Sequence, residues 1–222
     1  MEQEMELSEY FPVWDQLSGD EQSRLRGAAQ IRRADQGTVL QGGRGDCLGL
    51  VLVRQGRLRA CSVSPEGRQV TLYRLLPGDI CLFSASCMMR SLQTEILIEA
   101  ERDTEFWLIS PEVYRQVMEE SAPLANFTNE LMAGRLSEVM WLMEQIMWQS
   151  MDKRLATFLL EESGLEESDT LTLTHEQIAG HLGTAREVVS RMLKYFQEEG
   201  MVRLRRGAVE LIAPEKLRQL AS

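Results

Sequence analysis

Read for the spacing of its apolar positions, the chain changes character twice. Between residues 37 and 110, short alternating or apolar runs at 48–53 (LGLVLV), 57–63, 68–76, 95–100 and 104–109 are divided by Gly45, Gly56, Gly67 and Gly78, one every 11 residues. Short, evenly spaced strands with glycine turns predict an antiparallel sandwich or barrel. The same period suits a solenoid, but it covers too little of the chain. From Ser110-Pro111 the pattern turns helical, is interrupted at Ser121-Ala122-Pro123, and then runs from 124 to 148 with Gly134 as its one weak point. Leu136, Met140, Met143 and Met147 make an apolar stripe that Val139, Leu142 and Ile146 widen. Two adjoining apolar faces exceed what one roll needs, so one is expected to pack on the β-layer and the other on a partner helix. A single wide core face in a monomer is the alternative. The methionines read as adaptable packing. Gln149-Ser150-Met151-Asp152 reads as a hinge with Asp152 capping a helix over 153–162, and 161–169 (EESGLEESD) as an acidic loop.

Residues 174–194 (THEQIAGHLGTAREVVSRMLK) carry the most specific pattern. Ala179 stands where two helices would cross closely, Gly183 four residues later where a tight turn needs positive φ, and Val189 where the second helix packs on the first. Thr174 with Gln177, and Thr184 with Glu187, each have the spacing of a capping box. The whole predicts a helix-turn-helix. Its second helix would offer Arg186, Glu187, Ser190 and Arg191 to a DNA major groove, where arginine can donate twice to guanine and a carboxylate can accept from cytosine N4. A solvated helix face with i,i+4 ion pairs is the plain alternative. Tyr195, Phe196, Met201 and Val202 continue the apolar pattern past a stop at Gly200. Two short strands, 202–204 and 208–212, around Arg205-Arg206-Gly207 predict a basic β-hairpin, either a phosphate-contacting wing or a structural one.

Composition at first contradicts DNA binding, since the net charge is −10 and the pI about 4.9. Divided along the chain, residues 1–151 carry −8, 152–169 carry −4 and 170–222 carry +2. Only the last piece is basic, so attraction to DNA is expected to be weak, salt-dependent and reliant on a dimer. The acidic start, MEQEMELSEY, is unlike a targeting signal, and no apolar run suffices to span a bilayer. A cytoplasmic protein without membrane association is expected.

The motif Arg186-Glu187-Val188-Val189-Ser190-Arg191 resembles the R-E-x-x-x-R and E-x-x-S-R patterns of the CRP/FNR superfamily of bacterial transcription regulators. The stretch from Gly49 to Arg59, with an allowance at Val53, is similar to that superfamily's β-roll pattern, and Pro77-Gly78-Asp79 to the turn before its ligand cassette. The resemblance spans nearly the whole chain and is sharper toward the C-terminus. It implies an α+β protein: a sensory β-roll with a leading helix (1–110), a dimerisation helix and hinge (111–151), and a winged helix-turn-helix (152–222). It also implies a homodimer on palindromic double-stranded DNA with TGA in each half-site, acting with RNA polymerase. The DNA-contacting set would be Thr174, Thr184, Arg186, Glu187, Ser190, Arg191, Lys194, Arg205 and Arg206.

The chain departs from the superfamily's cyclic-nucleotide pocket. Leu82-Phe83 stands where a Gly-Glu pair would bind ribose, and Thr94-Glu95 where an Arg-Ser or Arg-Thr pair would bind phosphate; Arg90-Ser91 comes about four residues early. Cyclic AMP is therefore not the expected effector, whose identity stays open, with Cys81, Leu82, Phe83, Cys87 and Arg90 as the candidate region. Cys47, Cys61, Cys81 and Cys87 are too dispersed for an expected cluster and read as packing, with a redox pair at Cys81 and Cys87, on a predicted loop, as the alternative. Both histidines, His175 and His181, fall in the helix-turn-helix, where capping or surface duty is expected. Without imidazoles in the roll, and with no Ser-His-Asp set or P-loop, no metal, cofactor or catalytic residue is expected. The rival is an enzyme or ligand-binding β-roll whose C-terminal module serves protein interaction.

Overall fold

Ser18 opens the first helix by accepting the Glu21 N–H (3.3 Å) while the Glu21 carboxylate accepts the Ser18 N–H (2.6 Å), a reciprocal capping box that starts α1 at Gly19–Ala28. The computed structural model describes residues 6–42, 48–82 and 96–222. After α1 come β1 (Ala29–Ala34), β2 (Val39–Gln41), β3 (Leu50–Gln55), β4 (Leu58–Val63), β5 (Gln69–Leu75), β6 (Ile80–Cys81), β7 (Ile96–Ala100) and β8 (Thr104–Ile109). They form two four-stranded sheets, ordered β1-β8-β3-β6 and β2-β7-β4-β5. Then follow α2 (Pro111–Glu120), α3 (Ala122–Trp148), α4 (Met151–Glu166), β9 (Thr170–Leu171), α5 (His175–Leu182), α6 (Arg186–Glu198), β10 (Val202–Arg205), β11 (Ala208–Leu211) and α7 (Pro214–Ala221). The fold is α+β, and its chain divides into two compact units, 1–62 with 72–139, and 63–71 with 140–222.

In the first unit the apolar run at β3 explains itself. Leu50 and Leu52 pack with Leu25, Ile109, Tyr114 and Leu124 on the helical side, whereas Val51 and Val53 pack with Leu58, Ile98 and Phe106 between the sheets. A strand covered on both faces needs no polar alternation. On the helical side the buried Tyr114 hydroxyl lies 2.7 Å from Thr128 Oγ1, whose own hydrogen goes to the Leu124 carbonyl at 2.8 Å, so Tyr114 is the donor. Burial pushes its phenol up to about 12.

Gly56 turns β3 into β4 at φ +89°, and a Cβ there would stand 2.2 Å from the Asp103 carbonyl oxygen. Neither the backbone angle nor the space admits a side chain. Gly56→Ala is expected to cost about 3–5 kcal/mol, through strain plus a backbone collision. Calorimetry should then show a melting temperature lowered by roughly 10 °C. A loss under 2 °C would contradict this geometry.

The second unit has its own core, in which Leu155, Leu159, Ile178, Val189, Leu193, Phe196, Val209 and Leu217 are buried together. Two sequence expectations fail here. The predicted acidic loop is helical to Glu166, and Glu162 is buried within it. Asp152 is not the cap: Ser150 takes the N-cap position of α4, and Asp152 falls in the first turn, with its carboxyl held below the usual range chiefly by a bond from Ser150. The helix covers one side of the C-terminal core, a long-range demand that outweighs the polar composition of its end.

Candidate nucleic-acid interface

The interface is built on a turn. Thr174 caps α5 by accepting the Gln177 N–H at 3.2 Å, while Gln177 Oε1 accepts the Thr174 N–H at 2.8 Å, as the spacing predicts. The helix ends at Gly183, left-handed at φ +67°, whose N–H returns to the Ala179 carbonyl. Thr184 differs from expectation. Its N–H also closes on Ala179 O (3.1 Å), so it belongs to the end of α5, and Ala185 takes the N-cap position of α6 without a side-chain bond. This glycine-terminated closure, with the N–H groups of both Gly183 and Thr184 on the Ala179 carbonyl, claims the residue that the capping box needed.

On α6, Val189, Leu193 and Phe196 are buried at helical spacing, while Arg186, Glu187, Arg191 and Lys194 are exposed. Glu187 and Arg191 stand four residues apart yet form no ion pair, and Arg186 has none either among the described residues; Lys194 only approaches Glu198 at 3.9 Å. The three central charges thus lie exposed without the i,i+4 ion pairs that the plain alternative gives them. Charged groups without local partners are free to meet an outside one.

Three further contacts position this face, and none has a signal in sequence spacing. Arg154 on α4, half-buried, donates to the Leu182 carbonyl at 2.5 Å and so ties off the end of α5. His175, expected to cap or lie on the surface, is instead half-buried with Nδ1 2.8 Å from Ser190 Oγ. Its pKa is lowered by burial and then by the Arg186 charge. His181 stacks on Phe158 (5.3 Å between ring centres) and sits 2.8 Å from Thr71 Oγ1.

The wing is a two-residue hairpin turn at Arg206-Gly207, with Gly207 at φ +71° and Arg205 facing Ala208 within the ladder. A third strand, β9, completes the sheet on β11. Arg203 and Arg205 both hold Glu210, at 3.3 and 2.9 Å, and depress its carboxyl pKa. Of the three basic wing residues, Arg206 alone makes no ion pair among the described residues.

Toward the N-terminus, Cys81 lies buried in β6 opposite Val51, against the expectation of a loop, and Leu82 is buried beside it. The short β6 exists because β3 offers it an edge, a partner invisible locally. Phe83, Cys87, Arg90, Thr94, Glu95 and Cys47 lie outside the described residues. Burial raises the Cys61 thiol. Among the described residues no group of three or more His, Cys, Asp or Glu side chains could hold a metal ion, and no helix is long and apolar enough to cross a membrane. Along α3, Leu136, Met140, Trp141, Met143, Ile146, Met147 and Trp148 are exposed, with Leu136 at 63% and Trp148 at 78%. Val139 and Leu142, on the flanking face, are half-buried.

Residues 153–220 match the family model of the Crp-like helix-turn-helix domain. A protein of Eubacterium rectale assigned to the CRP/FNR family of transcriptional regulators has a crystal structure that superposes with a TM-score of 0.93; it is 51% identical over 96% of this chain and 98% of that one. The cyclic AMP receptor protein of Thermus thermophilus is 28% identical, covering 95% of this chain and 96% of its own. A further CRP/FNR structure from Thermus thermophilus, at 23% identity and a TM-score of 0.68 over 86% of this chain and 98% of that one, shares the fold. The chain, with an antiparallel β-roll and a C-terminal winged helix-turn-helix, belongs to the CRP/FNR family of DNA-binding transcription regulators and not to the enzymes.

Proposed function

We propose that the chain acts in the cytoplasm as a homodimer that reads a palindromic DNA site, in concert with RNA polymerase. Residues 1–110 would sense, 111–151 pair two copies, and 152–222 bind DNA. The observation that carries this is the α6 face, where Arg186, Glu187 and Arg191 stand exposed and, among the described residues, without an ion pair, above the buried Val189, Leu193 and Phe196. Thr174, Thr184, Ser190, Lys194, Arg205 and Arg206 complete the contact set, with Arg206 meeting phosphate most directly. The exposed methionine-rich stripe of α3 supports pairing, because so long an apolar surface is rarely left to water. Selection from random duplexes should return a palindrome with half-site centres roughly 34 Å apart and TGA in each half. Recovery of unrelated, asymmetric sequences would refute the reading.

The effector is a different ligand from that named for the Thermus thermophilus relative. Leu82-Phe83 and Thr94-Glu95 supply neither a ribose carboxylate nor a phosphate cation, and Glu95 adds a like charge. Cyclic AMP or cyclic GMP at millimolar concentration should leave melting temperature and DNA affinity unchanged. A ligand at 100 times its Kd would stabilise by about 2.7 kcal/mol, which thermal shift detects readily. A saturable shift with either nucleotide would overturn this.

A further inference from the structure

Ser190 sits on the exposed side of α6 as part of the proposed DNA-contact set, but its hydroxyl already has a protein partner in His175 Nδ1, 2.8 Å away across the helix-turn-helix. A serine inside a helix ordinarily turns its hydroxyl to the carbonyl four residues back. Here the first residue of α5 captures it instead. The difference matters for recognition. A freely rotating hydroxyl has one donor and two acceptor positions and reads any base edge that comes near, so it discriminates little. A hydroxyl that gives its one hydrogen to a neighbour can only accept, whereas one that accepts from a neighbour keeps its hydrogen and a single lone pair.

We propose that His175 is a positioning residue for DNA specificity: by holding the Ser190 hydroxyl through Nδ1 it restricts the direction and the hydrogen-bonding polarity that Ser190 offers to a base. The inference rests on the reading of α6 as the recognition helix. Two features of the site fit the role. The imidazole is half-buried, and its Nδ1 lies 2.8 Å from the hydroxyl it would hold. Burial, and then the Arg186 charge, also lower its pKa and so favour the neutral ring, whose Nδ1 carries either one hydrogen or one lone pair. A lone pair takes the serine hydrogen and leaves acceptors for adenine N6 or cytosine N4. A hydrogen on Nδ1 takes one serine lone pair and leaves the serine its own hydrogen for guanine or thymine, with a single acceptor position beside it.

The test measures Kd for the selected palindrome and for its single-base variants, using full-length wild type and the variants Ser190→Ala, His175→Ala, His175→Asn and His175→Gln. Asparagine can place a polar atom where Nδ1 lies, whereas glutamine places it near Nε2. Ser190→Ala and His175→Ala are each expected to flatten the preference at the same base pair by about tenfold. His175→Asn should restore it and His175→Gln should not. In the Ser190→Ala background, His175→Ala should change that preference less than twofold, because the two act as one unit. A His175→Ala variant that weakens all sequences equally would overturn the proposal, as would additive effects of the two alanines or an unchanged preference in Ser190→Ala. Melting temperatures within about 3 °C of wild type establish that each variant folds; should His175→Ala fall below this, the Asn and Gln pair decides alone. Failure of the wild type itself to select any palindrome would refute the recognition-helix reading first, and this inference with it.

Discussion

The double change Met140→Glu and Met143→Glu on α3 is expected to yield a monomer that binds the palindrome at least about a hundredfold more weakly. Both methionines are nearly half exposed in the single chain, on a stripe with Leu136 and Met147. In a two-fold symmetric pair each substitution occurs twice, so four carboxylates would enter one seam. Every lost methionine forfeits about 1.5–3 kcal/mol of apolar burial, and like charges then oppose one another across a desolvated contact. The DNA consequence follows from linkage of two half-site readers, which gives about 10²–10⁴-fold over one reader alone. Sedimentation velocity should show the monomer mass, and gel-shift titration the lost affinity. Glu144→Gln, on the same helix, is the control and should change neither. A double variant that still sediments as a dimer and binds as tightly as wild type would remove α3 from the pairing surface.

Arg191→Ala and Arg206→Ala are expected to weaken DNA binding in different ways. Arg191 projects from the exposed side of α6, and its loss should cost about 1–3 kcal/mol per half-site at the matched palindrome while relaxing preference at one guanine. Arg206, at the hairpin turn, should weaken matched and mismatched DNA alike and reduce the logarithmic salt slope by about one per protomer. Arg205→Ala should have a smaller effect, because Glu210 already occupies that guanidinium. Glu210→Gln should do the opposite, releasing Arg203 and Arg205 and strengthening binding at low salt. Fluorescence anisotropy at several salt concentrations separates these outcomes. Equal losses for Arg191→Ala on every sequence would mean that it touches backbone only.

Much of this molecule was legible in one dimension because the governing interactions are local. The Thr174–Gln177 box, the left-handed Gly183 and the spacing of Val189, Leu193 and Phe196 each involve residues within a few positions of one another. The Arg206-Gly207 hairpin and the strands β3, β4, β5, β7 and β8 were likewise marked by turn glycines and apolar runs. Tertiary structure decided the rest. β1 carries three exposed polar residues in six and is a strand because β8 lies beside it; β9 is two residues long and exists through β11. α7 has only Pro214 and Leu217 to mark it in the sequence, because eight residues become a helix only when Leu217 has a core to enter. Sequence spacing could list Arg186, Glu187, Ser190 and Arg191, but not that Ser190 is held by His175 or that Arg154 ties off α5. It could list Arg203, Arg205 and Arg206, but not that Glu210 engages two and leaves the third. Which charges are spent inside the fold and which remain for DNA depends on distances between residues far apart in the chain. That allocation is set only when the elements pack.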